Sequence, residues 1–211
     1  MPVFDFEYST ETQGMVHNVE QNLKNLNIDV TTISGNKQSI KARFIDKKHR
    51  QQLIRVDRDQ QSDPIQLLRT DGYDAIVISD YNKGSITYEL IQKAVKSGLP
   101  VFVDTKKQDL QKIEGAIVKI NEKEFKALDS TCSDLIVTLG ESGTMWNEKI
   151  YPTATVDVAD VCGAGDTFIA ALVVSYLKTQ NIENSIKFAN RAASVTVQHI
   201  GVYAPTEDEI L

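Results

Sequence analysis

The sequence holds two cysteines, Cys132 and Cys162, three histidines and a single tryptophan. Two thiols cannot build a disulfide framework or a four-ligand zinc centre, and their separation matches no metal-ligand spacing. A reducing cytoplasm suits such a chain. His17, His49 and His199 stand far apart. None belongs to an HExxH pattern, and no serine or cysteine has a convincing triad partner. Basic residues are also scarce, 23 Lys+Arg against 29 Asp+Glu for a formal charge of -6. Nucleic-acid affinity comes largely from clustered Lys and Arg, so nucleic acid is not an expected partner. The one basic cluster, Lys47-Lys48-His49-Arg50, has strand-like flanks without aromatic neighbours and reads as a solvated turn. The longest uncharged apolar run, Thr167 to Leu177, is too short to span a bilayer and reads as a buried helix. The start, MPVFDFEYST, lacks the basic residues and apolar stretch of a signal peptide, so no membrane partner is expected either.

What is present is an α/β pattern over a single expected domain, residues 1–211. From Tyr73 onward, short β-rich runs at 74–79, 99–104, 115–120 and 134–139 alternate with helical patterns at 87–97 and 122–128. Gly98 is placed to end the first helix. Continuous apolar strands separated by helices imply a three-layer α/β/α fold, Rossmann-like, on a mainly parallel sheet. Two final helices are expected after Gly165 and Asn184, the second with Ile186, Ala189, Ala193 and Val197 on one stripe. Earlier, Val16, Val19, Leu23 and Leu26 mark an amphipathic helix. Residues 39–45 and 51–57 alternate like exposed antiparallel strands, a β-flap spanning about residues 38–58.

Three segments could carry chemistry. In Asp160-Val161-Cys162-Gly163-Ala164-Gly165-Asp166-Thr167-Phe168, small residues run directly into a helix. They let the backbone turn tightly and aim N–H groups outward, which makes an anion site for a phosphoryl group. Asp166 can equally be a helix N-terminal residue that complements the dipole. Asn121 and Glu124 follow a strand and share one face of a helical turn, where oxygen ligands suit a hydrated Mg²⁺. The alternative is a helix cap. Thr138, Gly140 and Gly143 form a TxGxxG turn after another strand, either a phosphate turn or a hairpin.

Taken in order, NxxE, TxGxxG and DVCGAGDTFIAAL resemble the ribokinase-like (PfkB) carbohydrate kinases. PVFDFE, QQLIRVD, SDYNKG, VDTKKQDL and FANRAAS are most similar to the heptose 7-phosphate kinase branch. The resemblance implies an ATP-dependent sugar kinase acting on a sugar or sugar phosphate. It makes Asp166 the base, Gly163, Ala164 and Gly165 the anion hole, and Asn121 and Glu124 the organisers of Mg²⁺ and phosphate. Thr138, Gly140, Gly143 and Asn190 would line the ATP pocket. The family's sugar-binding glycine-asparagine element corresponds to Gly14 and Asn18, with Met15 where a glycine is usual. Against the family pattern the chain is short of an N-terminal strand and of one βα unit near Leu26-Asn27. That would leave apolar surface and a sheet edge for a partner, so a homodimer or larger assembly is expected. A catalytically weak nucleotide-binding subunit is the alternative function.

Overall fold

The computed structural model of the chain describes residues 5–11, 13–14, 16–49, 51–66 and 69–211; Met15 lies outside the described residues. The body is a six-stranded sheet in the order β3 (Ile76–Asp80), β4 (Val101–Thr105), β5 (Ile117–Asn121), β6 (Leu135–Thr138), β7 (Thr144–Trp146), β8 (Lys149–Tyr151). The first four are parallel and the last two antiparallel. Alternation of side chains across the pleat divides the core into two layers. On one face Phe102 and Ile136 meet α1 (Val16–Asn25), α4 (Ala164–Thr179) and α5 (Ile182–Thr196) through Leu23, Phe168, Leu172 and Ile186. On the other, Val101, Val103, Val118, Ile120 and Val137 meet α2 (Tyr88–Val95) and a 3-10 turn at Leu110–Ile113 through Ile91, Leu110 and Ile113. The α/β/α layering read from the sequence is therefore present.

Each strand of the parallel run begins about two residues later than its apolar run, because the chain is still turning out of the preceding connection. Gly98 and Gly115 make those turns at positive φ. Helix α2 starts where Thr87 Oγ1 accepts the Leu90 amide at 3.1 Å, a side-chain cap for an otherwise orphaned donor.

Three expectations need correction. The helix expected over 122–128 is a single turn, α3 (Glu122–Phe125). The chain then leaves it to bond Gln108 O through the amides of Asp129 and Ser130. Helix α5 begins at Ile182 rather than after Asn184, since Asn181 Oδ1 accepts the Asn184 amide at 2.9 Å and fixes the start earlier. A further turn, α6 (Glu207–Ile210), was not anticipated; Thr206 and Glu209 form its capping box.

The flap is a two-stranded antiparallel ribbon, β1 (Ile40–Ile45) and β2 (Gln52–Arg58), separate from the main sheet. Its register pairs Lys41 with Asp57 and Arg43 with Arg55 on one face. Ala42 with Val56 and Phe44 with Ile54 share the other, where Phe44, Ile54 and Val56 are about half exposed.

The TxGxxG segment forms the turn from β6 into the antiparallel hairpin, whose own tip, Asn147-Glu148, holds both residues at positive φ. Gly143, at φ +90°, lies so close to β8 that a Cβ would collide with the Tyr151 carbonyl oxygen. Gly143→Ala should therefore cost about 2 kcal/mol or more, from backbone strain and the clash together. A melting curve several degrees lower is expected; an unchanged midpoint would contradict this packing.

Candidate active site

In a parallel sheet, ligands gather at the carboxyl ends of the strands, and here those ends are strongly polar. β3 ends on Asp80, β4 carries Asp104, β5 carries Lys119 and ends on Asn121, and β6 ends on Thr138. The pairing sets Asp104 beside Lys119 and Asn121 beside Thr138. Against this edge stands the N-terminus of α4. Asp80, Tyr81, Asp104, Lys106, Lys119, Asn121 and Glu124, with Gly163, Gly165 and Asp166 opposite, enclose a cavity of about 210 Å³.

The loop entering α4 is held by Asp160, whose carboxylate accepts the amides of Cys162 and Gly201, both at 3.0 Å. Gly163 turns the chain at φ +80°. Among the described residues the amides of Gly165 and Asp166 have no backbone acceptor, as expected in the first turn of a helix. The buried Lys119 ammonium approaches the same turn. It pairs with Asp104 Oδ2 at 2.9 Å and lies 2.8 Å from where a Cβ on Gly165 would sit, so a side chain there would have to displace the ammonium. A cation at the positive end of a helix dipole is unfavourable unless anions answer it. Asp104 answers directly, and Asp80, Glu124 and Asp166 add further carboxylates to the same lining.

Asp166 is 7% exposed. Burial raises its pKa from 3.8 to about 6; a hydrogen bond from Asn18 Nδ2 at 2.8 Å opposes the rise, the Asp104 charge adds to it, and Lys119 and Lys41 oppose it. A carboxyl poised near 6 can accept a proton at neutral pH and hand it on. Asn18 also walls a second cavity of about 240 Å³, lined by Gln13, His17, Gln21, Asn22, Val202 and Ala204. The carboxylate thus lines the cavity beside the helix terminus and is joined by one hydrogen bond to the wall of the cavity beside α1.

Of the residues singled out in the sequence, Asp166, Gly163, Gly165, Asn121 and Glu124 are brought together in the first cavity, and Asn18 reaches Asp166 from α1. Ala164 lies in the same loop but does not line the cavity. Asn121 and Glu124 form a capping box: Asn121 Oδ1 accepts the Glu124 amide and Glu124 Oε2 accepts the Asn121 amide, both at 2.9 Å. That leaves Glu124 Oε1 without a hydrogen-bond partner among the described residues. No group of three or more His, Cys, Asp or Glu that could hold a metal occurs among those residues. One free carboxylate oxygen beside an amide fits Mg²⁺, which keeps its waters and is held mainly by substrate phosphates.

Thr138, Gly140, Gly143 and Asn190 are not brought to either cavity wall. Asn190 is 5% exposed and fully engaged, accepting from Thr144 Oγ1 at 2.6 Å and donating to Tyr151 O at 2.9 Å, which ties α5 to the hairpin. Gly14 precedes α1, exposed, its carbonyl accepting the His17 amide at 3.3 Å. Sequence reasoning did not single out Tyr81, Asp104, Lys106 or Lys119. Their signal was positional, a polar residue in the last third of an apolar strand or just past it.

The pfkB family carbohydrate kinase model matches residues 16–209. The bifunctional protein HldE of Sulfurimonas denitrificans is 32% identical over 242 residues, covering 97% of this chain and 50% of that protein. The chain spans about half or less of the length of such curated relatives. Among solved structures, a putative ribokinase from Agrobacterium tumefaciens superposes with a TM-score of 0.70 at 16% identity, covering 100% of this chain and 90% of that one. Ribokinase from Arabidopsis thaliana, solved with ribose and ATP, gives 0.53 at 24% identity over 64% of this chain and 54% of that one. The fold is ribokinase-like, and the chain belongs to the pfkB family of carbohydrate kinases.

Proposed function

We propose that this chain transfers the γ-phosphoryl group of ATP to a hydroxyl of a sugar or sugar phosphate, with heptose 7-phosphate as the first acceptor to test. The observation that carries the reading is the conjunction at the start of α4. Unpaired amides and the Lys119 ammonium face one cavity, while a carboxyl with a pKa of about 6 borders that cavity and accepts a hydrogen bond from Asn18, which lines a second one.

Phosphoryl transfer needs positioning and charge stabilisation more than covalent participation by the protein. The acceptor would enter from the α1 side, where Asn18 fixes the orientation of the Asp166 carboxylate. Asp166 takes the hydroxyl proton as that oxygen bonds to the γ-phosphorus and the bond to the ADP oxygen breaks. The Gly163–Gly165 turn and Lys119 meet the charge that develops on the transferring group. Asn121 and Glu124 would hold Mg²⁺, which neutralises the nucleotide phosphates. The turn at Thr138, Gly140 and Gly143 is assigned to the nucleotide side, with Asn190 shaping it through the hairpin rather than touching the nucleotide. Gly14 sets the approach to the acceptor cavity. The half-exposed apolar face of the flap favours a homodimer or larger assembly.

A second reading, a nucleotide-binding subunit of low activity, is favoured by length. The match to the Sulfurimonas protein runs over 242 positions against a chain of 211, so at least 31 positions of that relative have no counterpart here. The one-turn α3 is one place where the body is lean. On either reading the chain is one kinase domain short of a βα unit. ADP release with a panel of sugars and sugar phosphates separates the two: acceptor-dependent release supports the kinase, and Mg-ATP binding without release supports the subunit.

Asp166→Asn should lower kcat about 10²–10⁴-fold, the usual contribution of a general base. The same change should raise stability at pH 8. Asp166 titrates at about 6 in the folded protein against 3.8 ordinarily, so the folded state holds the extra proton between those values. Stability from this group is full below 3.8 and lost as pH rises through 6, and removing the buried charge should recover on the order of 1–3 kcal/mol. A variant that keeps more than about a tenth of wild-type kcat removes Asp166 from the chemistry. For Glu124→Gln, a weaker Mg²⁺ dependence of turnover is expected with little change in melting; an unchanged Mg²⁺ titration would leave Glu124 only its capping role.

A further inference from the structure

The turn that leaves β3, residues 80–84, connects the cavity to the flap. Its first residue is a fixed point. The Asp80 carboxylate is buried and accepts from the Asn82 amide and from Thr105 Oγ1, each at 2.8 Å, and pairs with Lys107 Nζ at 3.3 Å. A buried carboxylate with three partners has little freedom to move.

The stem that follows β2 ends on the same turn. The Ser62 amide donates to Lys83 O at 2.8 Å, the Ile65 amide donates to Ser85 O at 2.9 Å, and Lys83 Nζ reaches Asp59 Oδ2 at 2.6 Å. Gly84, at φ +90°, runs so close that a Cβ would lie 2.6 Å from Ser62 O. On the opposite stem, Ser62 Oγ donates to Asn36 Oδ1 at 3.1 Å.

Tyr81 projects from this turn into the cavity that holds Asp166. Lys41 Nζ, from flap strand β1, stands 5.3 Å from the ring centroid, and Lys106 Nζ, from the body, stands 4.9 Å away. Among the described residues neither ammonium has an ion-pair partner, so the ring is the contact each of them makes in common. Burial and the neighbouring Asp166, Asp104 and Glu124 charges push the phenol pKa upward, which keeps it a neutral hydrogen-bond donor.

We propose that Tyr81 is a positioning residue for the transfer: its phenol confines the Asp166 carboxylate beside the acceptor, and its ring, gripped by Lys41, ties that placement to the seating of the flap. The catalytic half of this rests on the kinase reading; the flap half does not.

Kinetics and amide hydrogen exchange on the wild type, Tyr81→Phe, Tyr81→Leu, Lys41→Met and the Tyr81→Leu/Lys41→Met pair test both halves. Tyr81→Leu should lower kcat about ten- to a hundredfold, the scale of a small misplacement of reacting groups, with KM for ATP unchanged. It should also speed exchange in residues 40–45 and 52–58. Tyr81→Phe keeps the ring, so flap exchange should stay at the wild-type rate while part of the kcat loss remains. Lys41→Met should speed flap exchange alone but add nothing in the Tyr81→Leu background. Wild-type kcat in both tyrosine variants overturns the positioning role, and additive exchange effects overturn the coupling. If no acceptor is turned over, the kinase reading and the positioning role fail together, and the exchange data still decide the coupling.

Discussion

The contact on which the site depends is the Lys119 ammonium between Asp104 and the backbone of Gly165. It links the carboxyl edge of the parallel sheet to the first turn of α4, through a 2.9 Å ion pair on one side and an approach to Gly165 on the other that a Cβ would disturb. Removing Asp104 would leave the buried Lys119 ammonium without its ion-pair partner, which is costlier than losing an exposed pair. Because the lysine stands at the positive end of a helix, it depends on the carboxylates of the same cavity, Asp104 first among them.

Burial of Asp166 follows from the same geometry. The helix that presents it is buried along most of its length, from Asp166 to Ser175, so the carboxyl at its start is drawn out of water with the rest. Asn18 limits the resulting rise in pKa with one hydrogen bond from α1, an element remote in sequence. The stability lost by holding this group ionised at neutral pH is the counterpart of its reactivity. That cost is borne by the apolar packing of Phe168, Ile169 and Leu172 around α4.

Much of the fold was legible in the sequence, because continuous apolar strands and a 3.6-residue stripe report burial directly. The antiparallel flap strands and the helix over 87–97 followed from local pattern, and a hairpin was one of two readings of the turn after Thr138. The one-turn α3 was not legible: Glu122 to Leu128 carries helical spacing, yet the bonds that end the helix come from Gln108, which no local pattern reveals. For the site, Gly163, Gly165 and Asp166 could be read because a motif concentrates them. Asp104, Lys119 and Tyr81 could not, since Asp104 and Lys119 belong to different strands that the parallel register sets side by side and Tyr81 to the turn after a third. Asn190 was read as lining a pocket, whereas its side chain is spent on Thr144 and Tyr151. A buried asparagine looks the same in sequence whether its partner is a ligand or a neighbouring strand.

The central claim is that the fold holds Asp166 as a base poised near neutrality. The most direct test is a ¹³C NMR titration of the aspartate carboxyls, with the Asp166 resonance assigned by its loss in Asp166→Asn. A midpoint at about 6, with the protonated form growing as pH falls through that value, is the expected result. A midpoint at the ordinary 3.8 would contradict it, because a carboxyl that stays ionised there is not desolvated at the start of α4.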